Sequence, residues 1–93
     1  YLAVAGMLAA GLNGIEQGLE LGDPLTGNAY EADIARVPTT LRDAADLFER
    51  SELARATFGD EVVNHYVHAA RTEVATFDSA VTDWERVRGF ERL

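Results

Sequence analysis

Cysteine is absent from the chain, and so is lysine: all eight basic residues are arginine. The first absence excludes disulfides, thiolate zinc sites and a cysteine nucleophile. The second excludes Schiff-base chemistry and a P-loop lysine. Positive charge of any kind is scarce. Sixteen acids against eight bases leave a net charge of −8 over 93 residues, and a surface that negative repels phosphate backbones, so no nucleic-acid partner is expected. Long apolar runs are missing too. Residues 1–15 are uncharged, but Glu16 arrives before the roughly 20 apolar residues that a bilayer span needs, and the basic start of a signal peptide is lacking. The cysteine-free composition fits a reducing compartment, so a cytoplasmic location and no membrane partner are expected. What is present is ordinary: 47% hydrophobic and 26% charged residues, the balance of one folded domain over residues 1–93. The chain opens inside an apolar run with no initiator Met, which reads as a piece of a longer protein.

Periodicity predicts an all-α fold: a helix, a long loop, two shorter helices and one long C-terminal helix. Over residues 1–21, Leu8, Leu12, Ile15 and Leu19 recur on one helical face. Gly11, Gly14, Gly18 and Gly22 form a second stripe. Interior glycines weaken a helix by up to about 1 kcal/mol each relative to alanine, so their alignment suggests close approach of another backbone. The alternative is plain tolerance, with Gly22 as the helix stop. Residues 22–38 hold no period and carry turn chemistry at Gly22-Asp23-Pro24 and Thr26-Gly27-Asn28. Thr40 is an N-cap, with Asp43 where a capping box would place Glu. Leu41, Ala44, Ala45 and Phe48 supply that helix's buried face. Ser51 caps a further short helix, which Gly59 ends. The last segment, residues 60–89, reads as one helix roughly 43 Å long. Its apolar seam is Val63, Val67, Ala70, Val74, Phe77, Val81 and Trp84, with steps of four and three. Asp83 with Arg86 and Glu85 with Arg88 are candidate surface pairs.

Residues that could carry chemistry are few. Glu61, His65 and His68 share a helix face at i, i+4 and i+7, the one local arrangement that could hold a metal. That face points away from the seam and reads as solvated, so no metal site is assigned. No pair of carboxylates lies in an apolar setting suited to acid–base work. Ser51 and Ser79 have no base near them in sequence. Trp84 and Phe77 read as core rather than as a ligand platform. No catalytic, cofactor-binding or metal residue is therefore expected in this stretch, which reads as a helical packing module.

A family pattern runs through the same residues. Tyr1-Leu2, followed by Ala9-Ala10-Gly11-Leu12-Asn13-Gly14-Ile15, resembles the helix that follows the Asn-Pro-Tyr-Leu element of glutamine synthetases. Asn28-Ala29-Tyr30 resembles the Asn-x-Tyr of the next loop, and Val37-Pro38-Thr39-Thr40-Leu41 its Leu-Pro-x-Ser/Thr-Leu helix start. Phe58-Gly59-Asp60-Glu61-Val62, then Tyr66, Arg71 and Glu73, resemble the Gly-x-Glu…Tyr…Lys/Arg-x-Glu run. Val81-Thr82-Asp83-Trp84-Glu85 resembles the Val-Thr-x-Trp-Glu of many bacterial members. The resemblance spans essentially all 93 residues.

The resemblance implies a parent that is an ATP-dependent glutamate–ammonia or glutamate–amine ligase of nitrogen metabolism, using Mg2+ or Mn2+. Its catalytic carboxylates and arginines would lie on an antiparallel sheet outside this stretch. These helices would be the C-terminal layer of that α+β catalytic domain, inactive alone and without a cofactor of their own. Family members form stacked rings, and in some the C-terminal helix reaches a neighbouring ring, which makes Phe90 and Leu93 candidate contacts. In some members the tyrosine of an Asn-Leu-Tyr-Asp-Leu-Pro loop is adenylylated. Tyr30 is the matching residue, with Ala29 and Glu31 in place of Leu and Asp and no Leu-Pro; the alternative is that its ring packs on nearby helices. The competing expectation for the whole chain is a stand-alone module that self-associates through the Val63–Trp84 seam.

Overall fold

The computed structural model describes residues 1–92 and holds no strand among them. Five helices follow one another: α1 (Leu2–Glu16), α2 (Leu41–Arg50), α3 (Glu52–Phe58), α4 (Asp60–Asp78) and α5 (Asp83–Arg92). The class is all-α, as the periodicity requires. Leu93 lies outside the described residues.

Two boundaries differ from the expectation. The first helix ends at Glu16, not near residue 21. Gly18 turns into the left-handed region at φ 61°, where only a residue without Cβ sits at no steric cost. The Gly18 N–H donates to the Ile15 carbonyl at 3.1 Å, and the Leu19 N–H donates to that of Gly14 at 2.9 Å. These two bonds are a Schellman stop. Leu19 therefore folds back beside Gly14 instead of extending the apolar face, and Gly22 ends nothing.

The second correction concerns the long helix, which is two helices. Ser79 closes α4, its hydroxyl donating to the Thr76 carbonyl at 2.7 Å. Thr82 then opens α5 with a reciprocal cap. Its N–H donates to Glu85 Oε2 at 2.8 Å, and its Oγ1 accepts from the Glu85 N–H at 3.3 Å. Two otherwise orphaned donors are satisfied at once, so restarting the helix is favoured over continuing it. With the Glu85 carboxylate engaged in the cap, Arg88 lies over the Trp84 ring at 4.8 Å. The other expected pair forms, Arg86 to Asp83 at 3.7 Å.

The remaining caps follow the sequence. Thr40 Oγ1 accepts from the Asp43 N–H at 3.1 Å and its hydroxyl donates to the Asp43 carboxylate at 2.8 Å. Ser51 accepts from the Ala54 N–H at 3.1 Å. Gly59 joins α3 to α4 at φ 83°, ψ 157°, a backbone shape that is essentially glycine-only.

These caps bring α2 and α3 onto α4, and α1 onto α3. The core is small. Ala54, Val63 and Val67 form its centre, and Phe48 and Phe58 pack against them partly buried. Val63 is fully enclosed. Ala45 is the other buried side chain.

Arginines fasten the edges of this core. Arg71 of α4 forks onto Glu49 of α2 at 2.5 and 3.1 Å and reaches Asp46 at 3.3 Å. Arg42 at the start of α2 donates to Asp78 at the end of α4 at 2.6 Å. Arg55 of α3 donates to the Glu49 carbonyl, one of the orphaned acceptors at the end of α2, at 2.8 Å. It also bonds Asp60 at 2.5 Å and Asn64 at 3.2 Å. The hydrogen bond to Asp78 holds Arg42 above the usual arginine pKa, and those to Glu49 and Asp46 do the same for Arg71. A raised pKa leaves the linked stability full below the unfolded arginine value and lost only as pH climbs through the higher folded one. Both guanidiniums therefore stay charged through the neutral range.

The molecule is an extended layer. Its radius of gyration is 18.7 Å and its extents are 60 × 41 × 20 Å, where a compact chain of this length would have a radius of about 12 Å. It exposes 8332 Å², against about 5,300 Å² for a folded monomer of this mass.

Three outcomes follow. The isolated chain should sediment above monomer mass as its concentration rises, because large exposed apolar side chains on α1, α4 and α5 favour association. Val63→Ala in the complete protein should lower unfolding stability by about 2 kcal/mol, read as a shifted denaturant midpoint at constant slope. Arg71→Met should lower the midpoint in dilute buffer, and the difference should shrink in molar salt as exposed charges are screened.

Candidate functional site

A concavity lies where the start of α2 meets the last turns of α4. It is a groove of ≈ 430 Å³ lined by Thr40, Leu41, Arg42, Glu73, Val74, Phe77 and Asp78. Its floor is apolar, from Leu41, Val74 and Phe77. The Arg42–Asp78 ion pair is shared with a smaller concavity of ≈ 320 Å³ beside Arg71 and Asp46. Arg42 and Asp78 satisfy one another, and Thr40 is engaged with Asp43 in the α2 cap.

The expected seam divides along its length. Val63 and Val67 are buried, and Ala70 and Val74 are half-buried. Phe77, Val81 and Trp84 are exposed, at 67%, 72% and 67%. The reading of Phe77 and Trp84 as core therefore fails within this chain. The reason is geometric. The start of α2 meets the last turns of α4 across an open groove, and the break at residues 79–82 turns α5 onto its own axis, where none of its residues is buried. Val87 and Phe90 are exposed beside Trp84.

The apolar face of α1 is equally uncovered. Leu8, Leu12 and Ile15 are each more than half exposed. The glycine stripe meets no other backbone within the chain: a Cβ on Gly11 or Gly22 would touch nothing within 4 Å. Gly6, outside the stripe, is the glycine of α1 that faces a neighbouring helix, with the Phe58 ring 3.9 Å from its Cβ position.

Tyr30 sits on a turn built by Asn28. The Asn28 side-chain oxygen accepts from the Tyr30 N–H at 3.1 Å, and its amide donates to Glu31 at 3.0 Å. Arg36 donates to the Tyr30 carbonyl at 2.5 Å. The turn is held from both sides while the residue itself is 84% exposed, so its ring does not pack on the helices. His65 and His68 stand exposed on α4 with Glu61. The His65 ring meets Tyr66 edge-on at 5.5 Å. Among the described residues no group of three His, Cys, Asp or Glu side chains is placed to hold a metal, and no helix is long and apolar enough to cross a membrane.

One signal for these arrangements was present in the sequence and passed over. Thr82-Asp83-Trp84-Glu85 has the Ser/Thr-x-x-Glu spacing of a capping box, which marks the start of α5 and removes Trp84 from the α4 seam.

Apolar faces of α1, α4 and α5 lie uncovered in this chain, and comparison with known proteins identifies its family. The family model for the glutamine synthetase catalytic domain matches residues 1–88. Gamma-glutamylethanolamide synthetase GlnA4 of Streptomyces coelicolor is 67% identical over the full 93 residues. Glutamate–isopropylamine ligase of a Pseudomonas species is 41% identical over 95% of the chain. Glutamine synthetase of Archaeoglobus fulgidus is 32% identical over 98% of it. In each case the chain spans about 20% of the relative's own length. The chain belongs to the glutamine synthetase catalytic-domain family, and its helices are part of that domain.

Proposed function

We propose that this chain is the helical layer that backs the catalytic sheet of an ATP-dependent glutamate–amine ligase. The observation that carries the ligase reading is the 67% identity over the whole chain with a gamma-glutamylethanolamide synthetase. The same ranking favours a primary amine over ammonia as the acceptor. Identity falls to 41% for the isopropylamine ligase and to 32% for the Archaeoglobus glutamine synthetase. In this reading ATP transfers its γ-phosphoryl group to the glutamate γ-carboxylate. The amine nitrogen then attacks the acyl carbon, phosphate leaves and an amide forms.

The described residues hold no carboxylate cluster suited to Mg2+ or Mn2+. In this reading metal and ATP binding fall to the rest of the protein, and no chemical step is assigned to this chain. Its contribution is mechanical. The exposed faces of α1 and of the second half of α4 supply apolar area to the sheet, and rigid backing keeps catalytic groups within the fractions of an ångström that phosphoryl transfer demands. The exposed Trp84, Val87 and Phe90 of α5 serve contacts between subunits of a homo-oligomer. Tyr30, presented on its Asn28 turn, is the residue available for nucleotidylation. A stand-alone interaction module is the weaker reading, because the family match runs through residues 1–88 without interruption.

The complete protein decides these points. Assayed with glutamate and ATP, it should release phosphate with ethanolamine or isopropylamine at a kcat/KM at least about tenfold above that with ammonia. An equal or higher value with ammonia would refute the amine preference while leaving the ligase reading intact; no release with any amine would refute both. Gly11→Ala should raise helicity in the isolated chain, where the new methyl meets nothing. It should destabilise the complete protein if that stripe faces the sheet, and stabilisation in both settings would remove the stripe from the interface. Phe90→Ser should shift the complete protein to smaller assemblies in size-exclusion chromatography. An unmodified intact mass after growth on rich nitrogen would count against nucleotidylation of Tyr30.

A further inference from the structure

We draw no further inference here: the strongest candidate, the apolar groove between the start of α2 and the last turns of α4 floored by Leu41, Val74 and Phe77, is an unpartnered face and nothing in the structure shows what covers it.

Discussion

Val63 sits at the junction of α3 and α4 with no surface left to solvent, and the rest of the chain is arranged around that contact. Ala54 and Val67 complete the buried centre, while Phe48 and Phe58 close it from α2 and α3. A core of this size supplies little of the burial that must offset the entropy of ordering some ninety residues. The arginine bridges add direction more than strength, because exposed ion pairs gain little Coulomb energy in water. They set how α2 lies along α4, with Arg71 gripping Glu49 and Asp46 on one side and Arg42 holding Asp78 further along.

The smallness of that centre explains the shape of everything beyond it. Where α2 and α3 cover α4, its apolar residues are inside. Past Val74 the cover opens, and Phe77, Val81 and Trp84 are mostly exposed. The same holds for α1, which rests on α3 and leaves Leu8 and Leu12 exposed to solvent. A chain selected to be stable alone would hardly keep so many large apolar side chains exposed on two separate faces. The chain belongs to a catalytic-domain family and spans about one fifth of the relatives' length.

Much of this was legible in the residues. The helix starts at Thr40 and Ser51 were readable because an N-cap needs a particular oxygen at a particular place, and the stop at Gly59 because the turn excludes a Cβ. The solvated character of the Glu61–His65–His68 face was readable as well, and all three side chains stand exposed on α4. Less legible were the limits of α1 and α4. Apolar spacing runs on through Leu19 and through Val81 and Trp84, because a hydrophobic pattern records which side chains avoid water and says nothing about where the backbone hydrogen bonds end. The Schellman bonds at Gly18 and the Thr82–Glu85 cap decide those ends.

The sequence by itself determined the class, the helix starts and the order of the family's motifs. Those depend on local stereochemistry and on residue type, and both are written one residue at a time. Tertiary structure alone decided which half of the seam is buried and that the Tyr30 ring stands free. It also decided that the aligned glycines of α1 meet no backbone within the chain. Burial and contact depend on what else occupies the space beside a residue, and no spacing along one strand of sequence carries that information.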